Sequence, residues 1–163
     1  MPVTERKQTL CFTGHRELRE PDYVLEQRLK EVLEPLIRYG FRNFCAGGAR
    51  GFDMLAARVV LQLQETYPDI RLILLLPFYD QFLQEGNWTE EEIQEYRDQR
   101  ARASEVIHLE ERFVRGCYYR RNRMLVDRSS VCLCYQYKNT GGTAYTTEYA
   151  DKQGLVVTNL SLF

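Results

Sequence analysis

The sequence lacks a long hydrophobic segment. Its longest apolar run, Leu72 to Pro77, has the length of a β-strand, whereas a membrane-spanning helix needs about 20 apolar residues. The amino-terminal stretch MPVTERKQTL also lacks the apolar centre of a secretion signal. We therefore expect a cytoplasmic protein with no membrane partner.

An excess of charge of either sign is also missing. The 22 Lys and Arg residues nearly balance the 23 Asp and Glu residues, which leaves a formal net charge of -1 at pH 7. Proteins that bind nucleic acid without sequence preference depend on surplus Lys and Arg. On this ground nucleic acid is not expected as a partner, although a local basic patch remains compatible with the composition.

Histidine, a common zinc ligand, is scarce in this sequence. The chain has 2 histidines and 5 cysteines, and an odd number of cysteines without a secretion signal favours reduced thiols. Cys132 and Cys134 would share one face of a strand, a spacing that suits a metal ion. No second cysteine or histidine pair completes a tetrahedral site, so we expect no metal.

Short apolar runs alternate with amphipathic helical stretches along the whole chain. The runs are almost continuously apolar, which is typical of strands in a parallel sheet covered on both faces. We predict an α/β, Rossmann-like three-layer sandwich with a mostly parallel sheet of about six strands, formed by residues 1–163 as a single domain. The predicted strands are Thr9–Phe12, Asn43–Ala46, Ile70–Leu76, Val106–Leu109, Val131–Tyr135 and Leu155–Asn159.

Helix-start signals lie between these runs. Pro21 suits a first helical position, and Thr89 with Glu92 forms a capping-box pattern. Pro35 falls inside the first helix, where a proline costs roughly 3 kcal/mol, so we expect a kink or an early end there. The long connection Phe78–Trp88 is rich in aromatic residues and is predicted to be a packed loop. The other predicted helices are Gly51–Glu65, Cys117–Asp127 and Thr143–Gln153.

Glycines and polar residues follow the predicted strands at their carboxyl ends. In open α/β sheets, ligands bind at this edge, at the point where the strand order reverses. The candidate site residues are Thr13, Gly14, His15 and Arg16 after the first strand; Gly47, Gly48, Arg50, Gly51 and Asp53 after the second; Arg120, Asn122 and Arg123 after the fourth; and Thr140, Gly141, Gly142, Thr143 and Glu148 after the fifth.

Two glycine turns among these segments indicate an anionic ligand. Such turns let backbone N–H groups approach a phosphate, and the helix N-terminus behind them adds ~0.3–2 kcal/mol, so arginines are needed for useful affinity. Neither turn is a Walker P-loop, because no Gly-Lys-Ser/Thr follows. Only Gly14 stands where the dinucleotide pattern GxGxxG requires three glycines. We therefore expect no cofactor.

Several candidates also have a purely structural interpretation. His15 either contacts the ligand or holds a loop. Asp53 and Glu148 lie near helix N-termini, where a carboxylate either contacts a ligand or simply interacts with the helix dipole. The run Arg120-Arg121-Asn122-Arg123 belongs to a helix that begins at the predicted binding edge, which favours a role in binding.

The motifs CFTGHR, GGARGFDMLAA, RNRMLVDRSS and SSVCLCYQYKNTGGTAYTTEYA resemble those of the YpsA-like proteins. These belong to the SLOG superfamily of Rossmann-like folds, together with the Smf DNA-processing proteins and the LOG phosphoribohydrolases. The resemblance extends from Thr9 to Gly154 and implies a pocket for a nucleotide or a nucleotide-derived molecule. The LOG pattern PGGxGTxxE is matched by Gly141, Gly142 and Glu148, whereas its proline, later glycine and threonine are replaced.

Three hypotheses for function follow. The first is a domain that binds a nucleotide-like small molecule and signals its presence to a protein partner or a second copy. The second is an enzyme that cleaves the N-glycosidic bond of a nucleoside monophosphate, with Glu148 or Asp53 stabilising an oxocarbenium-like transition state and His15 as the acid. The third is single-stranded nucleic-acid binding through the arginines between Arg112 and Arg123.

Overall fold

The computed structural model describes the backbone of residues 3–163 and the side chains of residues 5–163. One six-stranded sheet forms its centre, and every strand pairing in it is parallel. This confirms the predicted Rossmann-like α/β class and the number of strands. The strands are β1 (Thr9–Gly14), β2 (Asn43–Ala46), β3 (Arg71–Phe78), β4 (Glu105–Glu110), β5 (Val131–Tyr135) and β6 (Val156–Asn159).

The helices are α1 (Val3–Lys7), α2 (Asp22–Tyr39), α3 (Phe52–Leu63), α4 (Gln81–Glu85), α5 (Glu90–Arg102), α6 (Cys117–Asp127) and α7 (Gly142–Lys152). Helix α5 begins with the predicted capping box, in which the Glu92 N–H donates to Thr89 Oγ1 at 3.1 Å and the Thr89 N–H donates to Glu92 Oε1 at 2.8 Å. None of the helices within residues 3–163 combines the length and apolar character needed to cross a bilayer.

Helix α2 does not end early at Pro35. The proline lies on the exposed face of the helix, so the backbone hydrogen bond that it removes is on the solvent side. Leu33 and Ile37 on the opposite face are buried in the core. Packing of this apolar stripe on both sides of the proline therefore stabilises the helix as far as Tyr39.

The sheet separates two apolar layers. Leu10 and Phe12 of β1 point into the larger layer, which also contains the buried faces of α2 and α3. Cys11, between them, points into the smaller layer beneath α6 and α7. All five cysteines are free and buried, and the described residues hold no group of three or more His, Cys, Asp or Glu side chains arranged to bind a metal.

The strand order β4-β3-β2-β1-β5-β6 places a topological switch point between β1 and β5. From β1 the chain moves outward through β2, β3 and β4, and it then returns to the other side of β1. The loops that leave β1 and β5 therefore diverge, and they open a crevice at the carboxyl edge of the sheet. The connection Phe78–Trp88 is packed as predicted, with Phe82 and Trp88 buried, and it contains the short helix α4.

Candidate functional site

A cleft of about 470 Å³ opens at this switch point. It brings together the loop after β1, the loop after β5, the β2–α3 loop with the first turn of α3, the first two turns of α6 and the first turn of α7. Predicted site residues that line it are Thr13, Gly14, His15, Arg16, Asp53, Asn122, Thr140, Gly141, Gly142 and Thr143. Four further lining residues were not among the candidate site residues: Ala49, Tyr118, Arg121 and Lys138.

One wall of the cleft is the N-terminus of α7. Gly141 precedes the helix with a φ of 94°, a conformation that favours glycine, and it provides no side-chain cap. Within the described residues, the N–H groups of Gly142 and Thr143 have no hydrogen-bond acceptor. They are among the first-turn donors that a helix cannot satisfy by itself. Open N–H donors at the positive end of a helix dipole suit an anion.

The floor of the cleft contains a buried guanidinium and a buried carboxylate. Arg121 is 5% exposed and Asp53 is 6% exposed. Arg121 donates from Nη1 to the carbonyl of Gly47 and from Nε to Asn122 Oδ1 at 2.8 Å. The Ala49 N–H donates to Asp53 Oδ2 at 3.4 Å.

Burial shifts the pKa values of both charged groups in the cleft floor. It raises the pKa of Asp53 to about 6, against the opposing effects of the Arg121 charge and of the backbone N–H groups of Ala49 and Gly47. Burial also lowers the pKa of Arg121. The cleft thus contains a buried carboxylate with a raised pKa together with the open N–H groups of α7.

Gly47 permits the close approach of the β2–α3 loop to these groups. A Cβ atom at this position would lie 2.9 Å from both Arg121 Nη1 and Asp53 Oδ2. The space beside Gly47 is therefore filled by the protein itself. Gly48 and Gly51 do not line the cleft either, so this turn contributes Ala49 and Asp53 rather than a second row of open N–H groups.

His15 connects the two loops that border the cleft. Its Nε2 accepts hydrogen bonds from the N–H groups of Tyr137, at 3.0 Å, and Lys138, at 3.3 Å. An atom that accepts carries no proton, so the neutral ring must carry its proton on Nδ1. Burial and the charge of Lys138 lower the pKa of His15 and favour this neutral form. In this geometry His15 holds the loop that leads to Gly141.

The remaining predicted site residues lie outside the cleft. Glu148 is an exposed carboxylate 3.1 Å from Lys152 Nζ. Arg50 donates to the carbonyl of Asn87 at 3.1 Å, Arg120 forms an ion pair with Glu110 at 3.1 Å, and Arg123 is exposed.

The phase of helix α6 explains why Arg121 lines the cleft and its basic neighbours do not. Cys117, Arg121 and Leu125 recur every four residues and form one buried stripe. An arginine on an apolar stripe must be buried and hydrogen-bonded, and this was the signal in the sequence that could have identified it.

A surface that we call the α6 rim continues from the cleft. Tyr118 lines the cleft and contacts Phe113, with the ring centroids 6.2 Å apart. The rim consists of the exposed side chains of Tyr79, Arg112, Phe113, Val114, Arg115, Tyr119 and Arg123. None of its three arginines forms an ion pair within residues 5–163.

A second cavity, of about 410 Å³, lies beside α3 and α5. Its walls are mainly acidic, and its central cation, Arg58, already binds Glu95 at 2.7 Å and Glu26 at 2.9 Å. Its half-buried central cation is thus neutralised, and five carboxylates surround the one other cation, Arg16, so this cavity is unfavourable for an anion. The cleft at the switch point remains the candidate site.

Comparison with known sequences gives one family. The YpsA family model, described as "YspA SLOG family", matches residues 10–157. The chain is 27% identical over 134 residues to the UPF0398 protein YpsA of Bacillus subtilis (strain 168), which covers 80% of this chain and 73% of that protein. It is 30% identical over 132 residues to the UPF0398 protein BH1768 of Halalkalibacterium halodurans, with coverage of 79% and 68%.

Two solved structures have the same fold. DNA processing protein A from Helicobacter pylori superimposes with a TM-score of 0.65 at 18% identity, covering 93% of this chain and 64% of that one. The corresponding protein from Streptococcus pneumoniae gives a TM-score of 0.65 at 17% identity, with coverage of 93% and 49%. The chain thus spans about half to two thirds of their lengths.

These structures correct one expectation. The Helicobacter pylori protein is described as having a single-stranded DNA binding mode, so the expectation that nucleic acid is not a partner is wrong. That expectation rested on the net charge of the whole chain. A balanced total does not exclude exposed local cations, and the rim arginines Arg112, Arg115 and Arg123 are exposed here.

Proposed function

Since the chain belongs to the YpsA family of SLOG proteins, we propose that it binds a nucleotide or a nucleotide-derived small molecule in the cleft between β1 and β5. The observation that carries this proposal is the open N-terminus of α7, where Gly142 and Thr143 present unpaired N–H groups. A phosphate group of the ligand occupies this position. Lys138, at the mouth of the same cleft, adds a positive charge.

The orientation of the ligand follows from the charges in the cleft. A phosphate avoids the Asp53 carboxylate and stays at the α7 end, because like charges repel. Asp53 accepts hydrogen bonds, so hydroxyl groups of a ribose are suitable partners for it. The ligand therefore lies with its phosphate at Gly142 and its sugar towards Asp53.

The test is isothermal titration calorimetry with adenosine, guanosine, cytidine and uridine 5′-monophosphates and with inorganic phosphate. Lys138→Ala is expected to weaken the binding of a monophosphate about fivefold, since an exposed charge pair contributes ~1 kcal/mol. Lys152→Ala is the matched control, because Lys152 is an exposed lysine at the far end of α7, and it should leave the affinity unchanged. Absence of binding by all five probes would refute the proposal.

Hydrolysis of an N-glycosidic bond is a second candidate, and the position of Asp53 favours it. Asp53 is a buried carboxylate in the phosphate-binding cleft, where it can stabilise an oxocarbenium-like transition state or orient a water molecule. Glu148 lies outside the cleft, and the neutral His15 accepts two hydrogen bonds through Nε2, so neither is placed for this chemistry. The assay is release of free base from a bound monophosphate, abolished by Asp53→Asn. A ligand that binds without any release of base excludes this candidate.

Single-stranded nucleic acid is the third candidate, favoured by the α6 rim and by the described binding mode of the Helicobacter pylori neighbour. Exposed arginines next to exposed aromatic rings suit a phosphate backbone with stacked bases. The assay is fluorescence anisotropy with a labelled single-stranded oligonucleotide. The double variant Arg112→Ala/Arg115→Ala should reduce the affinity and the salt dependence, whereas Arg102→Ala on α5 should not. Equal effects of the two sets of substitutions on oligonucleotide affinity would exclude the α6 rim as the nucleic-acid-binding surface.

A further inference from the structure

The Arg121 guanidinium donates hydrogen bonds to two parts of the cleft. Its Nη1 donates to the carbonyl of Gly47, and its Nε donates to Asn122 Oδ1 at 2.8 Å. One guanidinium therefore connects the β2–α3 loop to the side chain that follows it on α6. Its planar set of donors holds both partners at fixed angles, which an ammonium group cannot do.

The bond to Asn122 determines which way that amide faces. An arginine Nε–H can only donate, so the Asn122 atom that meets it must be the oxygen Oδ1, and the nitrogen Nδ2 must face away. Nδ2 indeed lies beside the glycine turn, 3.9 Å from the position that a Cβ on Gly142 would occupy. Asn122 is 9% exposed and lines the cleft. Within the described residues, its Nδ2 has no hydrogen-bond acceptor.

We infer that Arg121 is a positioning residue for the phosphate site: it fixes the Asn122 amide so that Nδ2 donates to the same anion as the first turn of α7. This inference rests on the proposed function and adds to it a third donor and the residue that orients this donor. With the amide reversed, Oδ1 would face the ligand phosphate, and two acceptors would repel each other.

A purely structural role for Arg121 makes a different prediction. If the side chain only filled the core and satisfied the carbonyl of Gly47, its substitution would weaken binding by the same factor whether or not Asn122 was present. If it acts through Asn122, its effect should disappear once the amide is gone. A double-mutant cycle separates the two roles.

The experiment measures adenosine 5′-monophosphate affinity by calorimetry for wild type, Asn122→Ala, Arg121→Lys and the double variant. Asn122→Ala should weaken binding about tenfold, as expected for loss of a charge-assisted hydrogen bond. Arg121→Lys keeps the positive charge and should weaken binding about fivefold in wild type but less than about twofold in the Asn122→Ala background. Arg120→Lys, which changes the adjacent arginine outside the cleft, should have no effect.

Equal losses for Arg121→Lys in both backgrounds would overturn the inference while leaving the proposed function intact. If the wild-type protein bound no monophosphate, the proposed nucleotide-binding function would be refuted instead. Should Arg121→Lys not fold, the side-chain NH₂ resonances of Asn122 in wild type decide the matter. They are expected to shift when the monophosphate is added, and unchanged resonances at saturation would overturn the inference.

Discussion

The pKa of Asp53 leads to a quantitative prediction about stability. The ordinary pKa of an aspartate, 3.8, is raised to about 6 by burial in the cleft floor. The folded protein therefore holds this proton more tightly than the unfolded chain does. The contribution of Asp53 to stability is fully present below pH 3.8, and it is lost as the pH rises towards about 6. This difference in pKa corresponds to about 3 kcal/mol.

Replacement of Asp53 by asparagine removes the titration and retains the shape of the side chain. Urea denaturation of wild type and Asp53→Asn between pH 4 and pH 7.5 should show that the variant gains about 2.4 kcal/mol over wild type as the pH rises through this range. Taking the difference between the two proteins cancels the titration of all other groups. Asp69→Asn, at an exposed position, is the control and should track wild type. A gap between Asp53→Asn and wild type that stays constant with pH would refute the account of a buried, proton-holding carboxylate.

The remaining predictions concern the α7 turn, the loop held by His15 and the thiols. Gly141→Ala should weaken monophosphate binding and lower the free energy of unfolding by about 1–2 kcal/mol. Gly154→Ala, at another glycine with a positive φ, should lower the free energy of unfolding by a similar amount and leave the monophosphate affinity unchanged. If the two variants bound the monophosphate equally well, a role for the α7 turn would be contradicted. His15→Phe should lower the free energy of unfolding by about 1 kcal/mol, because the half-buried Tyr137 N–H loses its acceptor. An unchanged urea midpoint would show that this N–H needs no acceptor. Burial raises the pKa of Cys134 to about 12 and also raises the pKa of Cys45, so an aromatic disulfide reagent should label these thiols only after unfolding. Rapid labelling of the native protein would contradict this.

The central strands of the sheet were predictable from sequence because they are buried on both faces. A short, continuous apolar run is typical of such a strand, and the predicted ranges Asn43–Ala46 and Val131–Tyr135 coincide with β2 and β5. Helix α6 was also predicted with its observed bounds. Helix α4 was not, because five residues within an aromatic loop carry too few turns to show a helical period.

The cleft was predictable to the extent that topology determines it. The carboxyl ends of parallel strands share one edge, so the segments after β1 and β5 had to meet. Which side chains face inward depends on helix phase and on packing. Arg121 rather than Arg120 or Arg123 faces the cleft because it lies on the buried stripe of α6. Glu148 matches a family pattern in sequence but lies on the exposed face of α7.

The central claim is that the N-terminus of α7 binds the phosphate group of a nucleotide. The most direct test is a titration of ¹⁵N-labelled protein with adenosine 5′-monophosphate, followed by the backbone amide resonances. The account predicts that the N–H signals of Gly142 and Thr143 move with the same dissociation constant as calorimetry gives. The N–H signal of Gly154, which donates to the carbonyl of Asp151 at the opposite end of α7, should stay in place. Saturating binding that leaves the Gly142 and Thr143 signals unmoved would contradict it.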